Sequence, residues 1–301
     1  MIIVDCIEFN EALRFLDPVS DAAFLVMDLM AKGHRQEAEQ FTHMFLEESE
    51  DVDGSELLRF YVAYRATVRG KVEGMAASEQ ELSGNERAEA LTEARGHWLL
   101  ALGTLEDPSR RPGLVLVGGL PGVGKSTLAR AIAGSFGFEV VRSDIVRKEL
   151  VGLPPEASAS VSFGEGIYTP EWTDRTYEAC LRRADVLLFK GHRVIVDASF
   201  ARQSDRHRFL DLARRRCVPG VFLLAEAPPE ETLSRLAARS GDASDAGPAI
   251  YRAASERWEG ETHRESVRID TGRSIADSLV EVRLVLDRLG LGGDGGTTGS
   301  G

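Results

Sequence analysis

No stretch of this 301-residue sequence approaches the roughly 20 consecutive apolar residues that a bilayer-spanning helix needs, so no membrane association is expected. Its first residues carry neither a basic region nor a long apolar run, which argues against a secretory signal. Cysteine is scarce. Cys6, Cys180 and Cys217 lie far apart and are odd in number, so they form neither a disulfide framework nor a zinc-binding spacing. They read as buried thiols, and a cytoplasmic location fits them. Also missing is any strongly basic, aromatic-interleaved stretch that would track a nucleic-acid strand. What remains, 43% apolar and 28% charged, is the composition of a globular protein, long enough for two domains.

The net charge of −12 is unevenly placed. Residues 1–110 hold 22 Asp and Glu against 10 Lys and Arg, whereas the remainder holds 26 of each sign. The acidic third should repel polyanions, while the neutral remainder is free to handle phosphate with local arginines.

Organisation changes along the chain in the same way. From Asp17 to about Leu105 the apolar spacing is helical. SDAAFLVMDLMAKG predicts a helix capped by Ser20 or Asp21 and stopped by Gly33. HRQEAEQFTHMFLEES, SELLRFYVAYRATVRGKV and ERAEALTEARGHWLLALGTL predict three more. Asp-Pro-Ser-Arg-Arg-Pro-Gly at 107–113 reads as a linker. Beyond it, LVLVG (114–118), FEVVR (138–142), RVIVD (193–197), GVFLLA (220–225) and SVRIDT (266–271) alternate with helical stretches. That rhythm predicts an α/β domain over 114–290, a parallel sheet with helices on both faces. The glycine-rich tail, 291–301, is expected to be disordered.

Chemistry concentrates after the first of these strands. Gly119 to Ser126 spell G-x-x-x-x-G-K-S between an apolar strand and a helix, the context a phosphate-binding loop requires. Gly119, Leu120, Pro121, Gly122, Val123, Gly124, Lys125, Ser126 and Thr127 are therefore the candidate nucleotide contacts. Lys125 is placed to reach the β- and γ-phosphates, and Ser126 to coordinate Mg²⁺. No N-K-x-D segment is present to read guanine, so ATP is the expected nucleotide. In VVRSDIVRKEL, Asp144 stands just past a strand end, with Arg147 one helical turn on. A carboxylate there can take a proton from an attacking hydroxyl, and the arginine can hold acceptor or phosphoryl oxygens. The plain alternative is a helix cap and a solvated charge. Asp197, ending RVIVDASF, occupies the position of a carboxylate beside Mg²⁺, with a helix cap again the alternative. Arg235 and Arg239, four apart before a Gly/Ser/Asp loop, could be the arginines of a closing lid or a surface pair.

These motifs make residues 112–290 resemble the P-loop kinases of small molecules and polynucleotides. That group includes gluconate kinases, zeta-type toxins and 5′-hydroxyl polynucleotide kinases. Asp144 and Arg147 are similar to the general base and the substrate-contacting arginine of the polynucleotide kinases. FGEGIYTPEWTDRTYEACLRRADVLLFKGHRVIVDASF resembles the C-terminal half of a bacterial bifunctional type, grouped with AAA-family ATPases, that fuses an aminoglycoside-phosphotransferase-like domain to an ATP-binding P-loop domain. By that resemblance Tyr168, Thr176 and Tyr177 belong to an insert facing the acceptor, although both tyrosines could be core aromatics.

The opening MIIVDCIEFN is similar to the strand that follows the catalytic loop of the phosphotransferase-like half, with Asp5 in the place of its Mg²⁺ ligand. Residues 1–106 would then be the helical end of such a domain, either a degenerate remnant or the product of a late start site. They would be inactive by themselves, with apolar surface available to a protein partner. The function implied is transfer of the γ-phosphoryl group of Mg·ATP to a hydroxyl of a small molecule or a polynucleotide end. The alternative is an ATP-gated interaction module with little turnover.

Overall fold

The structure, a computed structural model, describes residues 17–51, 53–79, 81–154, 169–238, 248–260 and 266–293. It divides into two compact units, Met1–Leu105 and Glu106–Gly301. Asp5, Cys6, Tyr168, Arg239 and the tail from 294 lie outside the described residues.

The first unit has four described helices: α1 (Pro18–Ala31), α2 (Arg35–Glu48), α3 (Gly54–Ala76) and α4 (Gly84–Leu105). The cap of α1 is Asp17, not Ser20 or Asp21. Its carboxylate accepts the Val19 N–H at 2.9 Å and the Tyr61 hydroxyl at 3.2 Å, and Pro18 occupies the first turn, where its missing N–H costs nothing. Val19, Ala23 and Met27 of α1, Leu58, Val62 and Ala66 of α3, and Leu99 and Leu100 of α4 are buried. The other side of α3 is apolar and exposed: Leu57, Phe60, Tyr64, Val68, Val72 and Met75 recur at helical spacing.

The second unit has five described strands, β1 (Gly113–Gly118), β2 (Glu139–Arg142), β3 (Arg193–Asp197), β4 (Gly220–Glu226) and β5 (Ser266–Asp270). All pair in parallel, in the order β2-β3-β1-β4-β5. Each strand lies within a residue of the boundaries expected from sequence. β1 and β3 are buried along their whole length, which is why they read as unbroken apolar runs. The helices are α5 (Lys125–Phe136), α6 (Ser143–Leu150), α7 (Pro170–Phe189), α8 (Gln203–Arg215), α9 (Pro229–Ala238), α10 (Pro248–Glu256) and α11 (Ile275–Arg288). Leu128 and Ile132 of α5 and Val282 and Leu286 of α11 cover one face of the sheet. Phe200, Phe209, Phe222 and Tyr177 form an edge-to-face aromatic cluster.

At the pole where the strands begin, Arg193 is buried over the Phe138 ring. It donates to the Phe136 carbonyl at 2.7 Å, to the Leu291 carbonyl at 2.5 Å and to the Ser109 carbonyl. The opposite pole, at the strand C-termini, carries the candidate site.

Candidate nucleotide and phosphoryl-transfer site

The loop between β1 and α5 depends on glycine conformations. Gly119 and Gly122 have φ of 139° and 85°. A Cβ at Gly119 would stand 2.4 Å from the Ala225 carbonyl oxygen, and one at Gly122 would stand 2.6 Å from Leu236. Only residues without a side chain satisfy both demands. The loop then meets the N-terminus of α5, whose first N–H groups have no partner within the helix and whose dipole favours anions. Lys125 curls back so that its Nζ donates to the Leu120 carbonyl at 2.7 Å, placing a cation over the loop.

Beneath the loop, Thr271 after β5 donates its hydroxyl to the Val123 carbonyl at 2.5 Å. Arg235 on α9 donates to the same carbonyl at 3.4 Å, to the Thr271 carbonyl at 2.9 Å and to the Glu231 carboxylate at 2.5 Å. Arg235 is therefore a brace of the phosphate-binding loop in this structure. No sequence pattern points to Thr271. A threonine at a strand end carries no pattern of its own, and its partner lies 148 residues away.

Asp197 ends β3 and is 5% exposed. It does not cap a helix, since α8 begins at Gln203 with Arg202 in the capping position. Burial pushes its carboxyl up from the usual range. The neighbouring Ser126 hydroxyl and the charges of Lys125 and Arg142 favour its ionised form, while Asp144 opposes it. Asp144 sits in the first turn of α6 and is likewise not the cap, which is Arg142. Arg142 Nη2 donates to Asp144 at 2.8 Å, and its Nε lies 3.8 Å from the Asp197 carboxylate, so one guanidinium spans the two acids. Arg147 is not a solvated charge. It is 8% exposed, and Nη1 donates to the Thr173 hydroxyl of α7 at 3.4 Å.

The structure thus brings together Lys125, Ser126, Asp197 and Asp144 and adds Arg142, while Arg147 turns toward α7. The donor set fits a hard divalent cation, offering a hydroxyl and a carboxylate oxygen beside a phosphate cradle.

Tyr177 belongs to the core and not to an acceptor-facing surface. Its hydroxyl bonds Ser199 Oγ at 3.0 Å and accepts the Phe200 N–H at 2.8 Å, and burial pushes its pKa up to about 12. Thr176 is buried as well. Cys180 and Cys217 are buried thiols, and burial pushes the Cys180 thiol up to about 12. A cleft of about 510 Å³ lies between α7 and α8, where Arg202 bridges Asp174 and Asp205 and Arg208 pairs with Glu178.

A parallel sheet in this order, with a glycine-built loop and Lys-Ser after β1 and a buried aspartate ending β3, defines an α/β domain with a P-loop. Comparison with known proteins agrees: a family model described as an AAA domain matches residues 114–259. An uncharacterized protein of Mycobacterium bovis and one of Mycobacterium tuberculosis are each 35% identical over 255 residues, covering 85% of this chain. The match covers 50% of each relative, so this chain spans about half their length. Among solved structures, a gluconokinase from Sinorhizobium meliloti is 21% identical with a TM-score of 0.44, covering 60% of this chain and 95% of that one. The APS kinase of Mycobacterium tuberculosis in complex with AMPPNP and APS is 18% identical with a TM-score of 0.43, covering 58% and 97%. At those values the likeness carries neither substrate nor activity to this chain. Among the described residues, no helix is long and apolar enough to cross a membrane.

Proposed function

We propose that residues 114–290 bind Mg·ATP and transfer its γ-phosphoryl group to a hydroxyl of a small molecule or a polynucleotide end, in the cytoplasm. The observation that carries this reading is the linked set at the strand C-termini. The Ser126 hydroxyl meets a buried Asp197, and Arg142 ties Asp197 to a second, more open carboxylate, Asp144. A domain that only bound nucleotide would need the first of these groups and not the second.

Mg·ATP, when bound, supplies the phosphoryl group and the cation charge that offsets its oxygens. The chain's own contributions are separable. Lys125 and the N–H groups opening α5 bind phosphate oxygens, and Ser126 and Asp197 hold the cation. Asp144 takes the proton of the attacking hydroxyl, with Arg142 fixing its orientation, and Arg147 acts on the acceptor side of α6. Arg235 holds the Val123 carbonyl and so keeps the loop in its binding shape, and Arg239 is assigned to the same arginine pair.

The test is ADP release from Mg·ATP by the wild type and by Lys125→Ala, across sugar acids, nucleosides, aminoglycosides and 5′-hydroxyl oligonucleotides. Release stimulated by one class and lost in the variant is the expected result. Tight ATP binding without stimulated release by any class would overturn transfer. It would favour a second reading, an ATP-gated interaction module, which draws on the exposed apolar stripe of α3 as a protein-binding face.

A further inference from the structure

We propose that Arg206 is a positioning residue that couples nucleotide seating in the phosphate-binding loop to the segment Trp258–Gly260, because its guanidinium joins that segment to the loop after β3 through four backbone carbonyls. The inference rests on the nucleotide reading above.

Arg206 lies on α8 and is 1% exposed. Its Nε donates to the Phe200 carbonyl at 2.9 Å, and Nη2 donates to the carbonyls of Ala201, at 3.1 Å, and Glu259. Nη1 donates to the Gly260 carbonyl at 3.3 Å, and the guanidinium carbon lies 5.4 Å from the Phe222 ring centre and 5.1 Å from that of Trp258. A guanidinium at this depth is expensive to desolvate unless its fork of donors is satisfied, and here the carbonyls of two separate chain segments satisfy it. The attachment is reinforced beside it. The Glu259 carboxylate accepts the Gln203 backbone N–H at 2.6 Å, the Gln203 amide donates to the Gly260 carbonyl at 2.8 Å, and the Glu259 N–H donates to the Ala201 carbonyl at 3.0 Å.

The same loop touches the nucleotide site. The Ser199 carbonyl accepts the N–H of Gly119, the first residue of the phosphate-binding loop, at 3.1 Å. The next residue, Phe200, has φ of 51°, a left-handed conformation that bulky side chains rarely adopt and that survives only where neighbours over-determine it. Those neighbours are Tyr177, which accepts its N–H, and Arg206, which holds its carbonyl. A phosphate seated against the 119–126 loop bears on the Gly119 peptide. That peptide is bonded to Ser199, Ser199 is continuous with Phe200, and Phe200 is held by Arg206 together with Trp258–Gly260. Each link in this path is covalent or a hydrogen bond, which gives a displacement at one end a contiguous route to the other.

Trp258 reports on the coupling directly. The full-length chain is labelled with 5-fluorotryptophan, and the Trp258 signal is assigned in the ¹⁹F spectrum with Trp258→Phe. Magnesium and AMPPNP are then titrated in, while calorimetry measures affinity independently. The Trp258 resonance should shift in step with occupancy. In Arg206→Met the shift should vanish and the affinity fall about tenfold, and Arg206→Lys should restore part of both. Should Arg206→Met fail to fold, Gln203→Ala removes one bond to Gly260 and leaves Arg206 in place, and its Trp258 shift should be reduced. Calorimetric binding with an unmoved Trp258 overturns the coupling and leaves the nucleotide reading standing. An undiminished Trp258 shift in Arg206→Met, or in Gln203→Ala where that variant must serve, overturns it as well, whatever happens to the melting temperature. Absence of binding in the wild type overturns both.

Discussion

Asp197 ends β3 and Asp144 follows the neighbouring β2 in the first turn of α6; they share one arginine, yet their surroundings differ. The Asp197 side chain keeps 5% of its surface, whereas that of Asp144, in the first turn of α6, keeps 22%. The buried acid suits a bound cation, and the more open one suits an acceptor that must arrive and leave. Asp144→Asn should therefore keep nucleotide affinity within about twofold in calorimetry while transfer falls by roughly 10²–10⁴, the usual range for a lost general base. Wild-type transfer by that variant would remove Asp144 from the mechanism. Tyr177 gives a residue-scale test of stability. Tyr177→Phe leaves the buried Phe200 N–H without its acceptor, at a cost of about 1–3 kcal/mol in denaturant melts. Its pH dependence has a definite sign. The folded phenol is raised to about 12 from 10.0, so folding favours the protonated form. The stability is intact below pH 10 and falls as pH rises from 10 toward 12, by up to about 1.4 kcal/mol per unit. Cys180, raised from 9.0 to about 12, adds in the same direction from pH 9 upward. Tyr177→Phe should flatten part of that alkaline loss.

At the level of elements, the strands and the phosphate-binding loop were legible because their signals are local. Val, Ile and Leu runs bounded by glycine mark buried parallel strands, and G-x-x-x-x-G-K-S carries its own strand–loop–helix context. The parts that were not legible are long-range. Thr271 reaches Val123 across 148 residues, Arg206 reaches Glu259 across 53, and Tyr177 reaches Phe200 across 23. No spacing rule announces such pairs, and an arginine or tyrosine reads as surface or site until its burial is known. The cap of α1 lies a few residues before the Ser20 or Asp21 that the sequence predicts, for a related reason. Pro18 is compatible with a first turn, so the chain enters the helix at Asp17, which Tyr61 also holds. The loop itself can be tested as an element. Gly122→Ala places a Cβ 2.6 Å from Leu236 in a backbone with φ of 85°. It should weaken nucleotide binding by about tenfold or more and lower stability by about 1–3 kcal/mol, as read by calorimetry and thermal melts. Wild-type affinity in that variant would show that the loop tolerates another shape.

The two units divide the molecule's properties between them. Every residue in the linked set around Lys125 belongs to the unit Glu106–Gly301, while nearly all of the net negative charge belongs to the helical unit. A chain of residues 106–301 should bind Mg·AMPPNP with an affinity within about threefold of the full chain in calorimetry, since none of those contacts is lost. A much weaker fragment would mean that the helical unit contributes to binding. Arg193 has a consequence of a different kind. It grips the carbonyl of Ser109, where the chain approaches β1, and that of Leu291, just after α11 ends. Entry and exit of the α/β unit are thus stapled at one spot, at the pole away from the phosphate-binding loop. A body whose entry and exit meet behaves as a closed cassette: splicing it into a host loop, or re-cutting and rejoining it across that junction, leaves the face that carries the phosphate-binding loop untouched.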